Sequence, residues 1–163
     1  MRRLRRRWRT LLLAAAASGC AAAELDVTRP VPIPLHAVTL TLHDRSRGEM
    51  SPEDQEALRE IFVEQLEAAR IRVLPASAPG AANVEGAVLE FDGGMRPLRF
   101  LTGYGLGTGS FVTAWRVRTA TSDDIARCRI EGSVSTGTFG GSYHAVLEDA
   151  GRALARFLHG EIR

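Results

Sequence analysis

The sequence predicts an α+β domain: a mainly antiparallel sheet of about five strands with two amphipathic helices packed on one face. Three observations carry that expectation. Apolar and polar residues alternate over short runs at 35–42, 84–92, 111–119 and 125–135, the period of a half-buried strand. Two longer stretches, 51–69 and 142–159, instead repeat apolar residues at helical spacing. The 144 residues after position 19 have the length of a single domain, one that buries roughly two thirds of its chain surface on folding.

In the first strand Val38, Leu40 and Leu42 fall on one side and Thr39 and Thr41 on the other. His43 to Gly48 is a polar loop. Ser51 then has the chemistry of a helix N-cap, with Pro52 in the first turn and Asp54 completing a capping box. Leu58, Ile61, Phe62, Leu66 and Ala69 form one helical stripe. Glu60, Glu64 and Glu67 lie opposite and read as a solvated face, not as catalytic carboxylates in a cleft. The run 71–74 is a short strand parallel to the first, reached by a right-handed crossover through the helix. A loop of small residues leads to the next strand, where Ala87, Leu89 and Phe91 share one face and Glu90 and Asp92 the other.

Stretches 111–119 and 125–135 form a hairpin around Thr121-Ser122-Asp123-Asp124. A turn centred between Ser122 and Asp123 sets Trp115 opposite Ile130 and Val117 opposite Cys128. The same register sets Arg116 opposite Arg129 and Arg118 opposite Arg127. Like charges directly across a ladder are destabilising, so Glu90, Asp92 and Glu131 must neutralise them, or an anionic partner must. Arg116, Arg118, Arg127 and Arg129 are therefore a candidate partner surface, a self-neutralised solvent face being the plainer alternative. The last helix runs through Val146, Leu147, Ala150, Leu154, Phe157 and Leu158, and Gly160 ends it.

The amino-terminal segment stands apart. Residues 1–10 hold six arginines, 11–17 are apolar, and Ala17-Ser18-Gly19-Cys20 follows. An apolar run this short cannot cross a hydrocarbon core that needs about 20 residues. The order resembles a bacterial lipoprotein signal peptide, with Ala17 where leucine is usual. The resemblance implies removal of 1–19, a diacylglyceryl thioether on Cys20, and an amino terminus acylated by a fatty acid such as palmitate. Residues 20–34, with Pro30, Pro32 and Pro34 alternating, then read as an extended lipidated tether reaching up to about 45 Å, and 35–163 as the domain. Ala21, rather than an acidic residue, resembles the pattern of lipoproteins sent to the outer membrane.

Beyond position 19 there are 15 arginines and all 19 acids, a net charge of −4 without the footprint of a nucleic-acid binder. Once Cys20 is lipidated no internal disulfide can form, and Cys128, alternating with Ala126 and Ile130, points inward as a small hydrophobe. His36, His43, His144 and His159 lack ligand spacing, and no nucleophile stands beside a base. No catalytic residue, metal or cofactor is assigned, and the chain is expected not to be an enzyme.

Glycines gather at Gly93-Gly94-Met95-Arg96-Pro97 and at Gly103-Tyr104-Gly105-Leu106-Gly107-Thr108-Gly109. A phosphate-cradling loop opens a helix, whereas here a strand follows. Gly103, Tyr104, Gly105, Gly107 and Gly109 are instead a candidate interface or loop. This run entering a strand, a polar turn, a second strand, and Gly137-Thr138-Phe139-Gly140-Gly141 before the last helix is similar to a bacterial lipoprotein family, the domain of unknown function 4410, over most of 36–160. The turn departs from the Thr-Gly or Asn-Gly expected there. That family implies no catalytic residues.

The expectation is a non-enzymatic outer-membrane lipoprotein facing the periplasm, an envelope accessory or assembly module. Its partners would be the membrane through Cys20 and an envelope protein or another copy of itself. The alternative is a periplasmic ligand-binding or hydrolytic domain using the glycine-rich loop 93–109 with Tyr104, Arg96 and Arg99.

Overall fold

The computed structural model describes residues 22–47, 50–76, 78–92, 109–119, 121, 123–134 and 143–162. Their elements run β1 (Ala22–Arg29), β2 (Ala37–Asp44), α1 (Pro52–Ala68), β3 (Arg72–Leu74), β4 (Ala82–Asp92), β5 (Gly109–Arg118), β6 (Asp124–Val134) and α2 (Tyr143–Leu158). The strands form one sheet in the order β1-β6-β5-β4-β2-β3. Pairing is antiparallel from β1 through β4 and parallel between β2 and its neighbours β4 and β3. The fold is α+β as expected, and the sheet is mixed with six strands.

The added strand is β1, which occupies much of the stretch read as a tether. Ala23, Leu25 and Val27 alternate with Glu24 and Asp26, and the strand pairs with β6 from Ala22↔Ser133 to Val27↔Cys128. Its start is tied to α2, since the Ala23 N–H donates to Asp149 Oδ2 at 3.0 Å. Residues 30–34 belong to no helix or strand, as their prolines require, yet Val31 is buried in the core.

The first helix begins as its sequence dictates. Ser51 Oγ accepts the Asp54 N–H at 3.2 Å, and the Asp54 carboxylate accepts the Ser51 N–H at 3.2 Å, a complete capping box. Leu58, Phe62 and Leu66 are buried, while Glu60, Glu64 and Glu67 are exposed. Gly151 of α2 lies against Gln65 of α1, where a side chain would collide with the glutamine stem. Both helices therefore pack on one face of the sheet and on each other, α1 over β2 and β3 and α2 over β1 and β6.

Trp115 is the centre of the core. Its ring meets Phe62 of α1 edge-on, centroids 4.8 Å apart, and its indole N–H donates to the buried Thr113 hydroxyl at 2.9 Å. It lies across Gly86 of β4, just as Phe111 lies across Gly132 of β6, and a Cβ at either glycine would overlap the ring.

Two expectations about faces and register are corrected. In β4 the buried side is Val84, Gly86, Val88 and Phe91, because a bulge between Val88 and Glu90 shifts the alternation. Ala87 and Leu89 thus lie on the opposite face from Phe91. In the hairpin Trp115 pairs with Cys128 and Val117 with Ala126, two residues from the expected register. The faces survive because a two-residue slip preserves parity. The slip itself comes from the turn, closed by Thr119 N–H on Asp123 C=O at 3.1 Å, and from a bulge that puts Arg118 opposite Asp124.

Candidate functional site

Helices cover one face of the sheet; the other carries the predicted arginine surface. Arg116 and Arg118 point outward from β5 and Arg127 and Arg129 from β6, with side chains 32% to 51% exposed. The structure brings them together in a different arrangement from the one expected. Arg116 faces Arg127, Arg129 faces Ala114, and Arg118 faces Asp124.

Asp124 resolves the like-charge pairing. Its Oδ1 accepts from Arg118 Nε at 3.2 Å, its Oδ2 lies 3.6 Å from Arg116 Nε, and Arg127 donates to the same Oδ2. The hydrogen bond from Arg127, with Arg118 and the charge of Arg116 beside it, holds the Asp124 carboxyl below the usual aspartate range. Arg29 adds a bond to the Asp124 C=O at 2.6 Å. Arg118 also reaches Glu85 at 3.1 Å, and Arg129 pairs with Glu131 at 2.7 Å. Of the three acids expected to compensate, Glu131 does so. Glu90 and Asp92 belong to rows with Val112 and Ser110, toward the other end of β5. Asp124 was hidden in the turn; its signal in the sequence is an acid two residues beyond the expected turn centre, beside three arginines once the register closes.

Along this face lies an open hollow of about 550 Å³, bordered by His43, Arg45, Leu89, Arg116, Arg127 and Arg129. Its chemistry is that of guanidinium donors over a small apolar floor at Ala87 and Ala114, suited to an anionic group. Thr28 and the buried Cys128 also border it. Among the described residues no group of three His, Cys, Asp or Glu is placed to hold a metal.

The remaining candidates are placed as follows. Cys20, Arg96, Arg99, Gly103, Tyr104, Gly105 and Gly107 lie outside the described residues, and Gly109 opens β5 opposite Val134. Cys128 is buried beside Trp115, and burial, with the Asp26 charge adding to it, pushes its thiol well above the ordinary range, so it is an inert core residue. One association was not visible in the sequence: His36 and His159, distant in the chain, lie with ring centroids 5.7 Å apart and planes tilted by 56°. His159 Nε2 lies 2.9 Å from the Ala69 C=O, so this pair joins the end of α1 to the end of α2 and the entry to β2. Among the described residues no helix is long and apolar enough to cross a membrane.

No protein-family model matches the chain, that of the domain of unknown function 4410 included, and no curated protein matches it. Solved structures do. The chain is similar to PelC from Paraburkholderia phytofirmans, a dodecamer in both of two crystal forms. The TM-scores are 0.53 and 0.52 at 15% and 14% identity, covering 83% of this chain and 96% of that one. A Xanthomonas campestris protein of the family model DUF330 is similar at TM-score 0.46 and 16% identity, over 86% of this chain and 92% of that one, a likeness too slight to carry an argument. At these identities what is shared with PelC is the fold alone.

Proposed function

We propose that the chain is an outer-membrane lipoprotein held on the periplasmic side, a non-enzymatic module that assembles with further copies of itself and with other envelope components. The observation that carries this reading is the fold likeness to PelC, a dodecamer, over 83% of the chain. The leader supports it, with six arginines, an apolar run and Cys20 in lipobox order.

With Cys20 acylated, only Ala21 separates the lipid from β1. The domain then sits at the bilayer surface rather than at the reach of an extended tether. Its strands leave the membrane together, and neighbouring anchored copies meet side by side. The arginine hollow is a second docking feature, for an anionic group on an envelope partner.

Sedimentation of the detergent-extracted, membrane-derived protein tests the self-association. The expected result is one discrete multiple of the protomer mass at micromolar concentration. A species of protomer mass alone, with the 17.7 kDa precursor as upper bound, would contradict it.

A further inference from the structure

Among the described residues the six-stranded sheet ends in two edges that no further strand covers, and the edges differ. One is β1 and the other is β3. Open edges are templates for further pairing unless they are blunted. On β1 the Ala23 N–H points away from β6, because it bonds Asp149 instead. By alternation the N–H and C=O of Leu25 point the same way, outward from the sheet. On β3 the Arg72 N–H bonds the His36 C=O at 3.0 Å and so points inward, leaving the backbone groups of Val73 outward.

The side chains complement one another as the backbones do. Leu25 and Val73 lie on the helix-covered face, each only partly buried against the core. Asp26 and Arg72 are exposed on the open face, and neither has an ion-pair partner among the described residues. β1 and β3 also run in opposite directions within one copy, so β1 of one copy meets β3 of an identically oriented copy antiparallel.

We infer that copies of this chain join edge to edge, β1 of one beside β3 of the next, with Leu25 opposite Val73 and Asp26 opposite Arg72. This inference deepens the self-association proposed above and rests on it. Only this register satisfies all three conditions. Sliding β1 one way sets Ala23 against Val73, but its N–H is already held by Asp149. Sliding it the other way sets Thr28 against Arg72 and loses the charge pair. In the chosen register Leu25 and Val73 exchange both backbone hydrogen bonds, apolar meets apolar, and acid meets base. The contact is heterologous, the type that closes a ring or continues as a filament. It also keeps the start of every β1 at the same end of the assembly, as anchoring in one bilayer demands. Pairing β1 with β1 antiparallel would send the two anchors to opposite ends.

Charge reversal tests the inference. Asp26→Arg and Arg72→Asp, each alone in the full membrane-extracted chain, are expected to weaken association by about tenfold or more. An equimolar mixture of the two restores the wild-type oligomer, because each chain then offers its neighbour an opposite charge at both edges. Asp26→Cys with Arg72→Cys in one chain is expected to give a disulfide-linked ladder on a non-reducing gel, these being side chains of a closely spaced, non-hydrogen-bonded pair. Intact oligomers from both single variants, with no ladder, would overturn the edge pairing and leave self-association standing. A wild type that sediments as a protomer would overturn both.

Discussion

Replacing Gly86 by alanine places a methyl carbon 2.5 Å from Cζ3 and 2.7 Å from Cη2 of Trp115, and 2.8 Å from Cδ1 of Leu42. Comfortable carbon separations are about 3.5–4.0 Å, so the indole must shift. It has little room, with Phe62 packed edge-to-face against it, centroids 4.8 Å apart, and its N–H held by Thr113 at 2.9 Å. Overpacking of this kind costs about 1–3 kcal/mol. A displaced indole also weakens a buried hydrogen bond worth about 1 kcal/mol and an aromatic pair worth about 0.5–1.5 kcal/mol. Alanine recovers about 0.5–1 kcal/mol of backbone entropy relative to glycine. The net expectation for Gly86→Ala is a loss of about 2–4 kcal/mol. Urea unfolding at fixed protein concentration, followed by Trp115 fluorescence, reads it as a midpoint lowered by roughly 1–2 M. Read by far-UV circular dichroism, which does not need the indole, Gly86→Ala with Trp115→Phe should lose less than the two single changes added together, the smaller ring making room for the methyl. A Gly86→Ala stability within about 0.5 kcal/mol of wild type would refute the packing argument.

Ser51→Ala removes the cap of α1 and is expected to cost about 1 kcal/mol in the same urea experiment. Asp124 and Asp44 both have folded-state pKa values below the ordinary aspartate value of about 4, the first through Arg127 and the second through the Ser46 hydroxyl and N–H. Their contribution is therefore present above that value and lost as pH falls through the lowered ones, so stability should drop below about pH 4 and Asp124→Asn should flatten that acid slope. Cys128 should resist thiol reagents in the native protein and react only at the rate of unfolding, measured by mass spectrometry after timed labelling. Arg116→Gln with Arg127→Gln should release any anionic partner that co-purifies through the open face, with little change in the urea midpoint.

What could be read in the sequence was local. Ser51, Pro52 and Asp54 specify the cap of α1 without help from the rest of the chain, and both helices and the short parallel β3 followed from periodicity and crossover. Cys128 and Trp115 were assigned to the same face because parity survives a two-residue slip. What failed depended on partners distant in sequence. Residues 22–29 alternate as a strand should, but the prolines at 30, 32 and 34 and the adjoining leader drew the reading toward a tether. Only the open edge of β6 makes the stretch a strand. The β4 bulge reversed Ala87 and Leu89 because nothing in eleven residues marks which of two apolar sides faces the helices. The arginine surface was found as a set, but Asp124 acquires its role only once the hairpin closes in the observed register. The contact of His36 with His159 has no local signal at all.

The central claim is an anchored envelope module, and the mass of the mature amino terminus tests it most directly. The account predicts that protein recovered from the outer-membrane fraction begins at an acylated Cys20, and that Cys20→Ala moves the domain out of that fraction without unfolding it. A chain recovered soluble, unacylated and cut at another position would contradict the anchoring, and with it the side-by-side geometry on which the edge pairing depends.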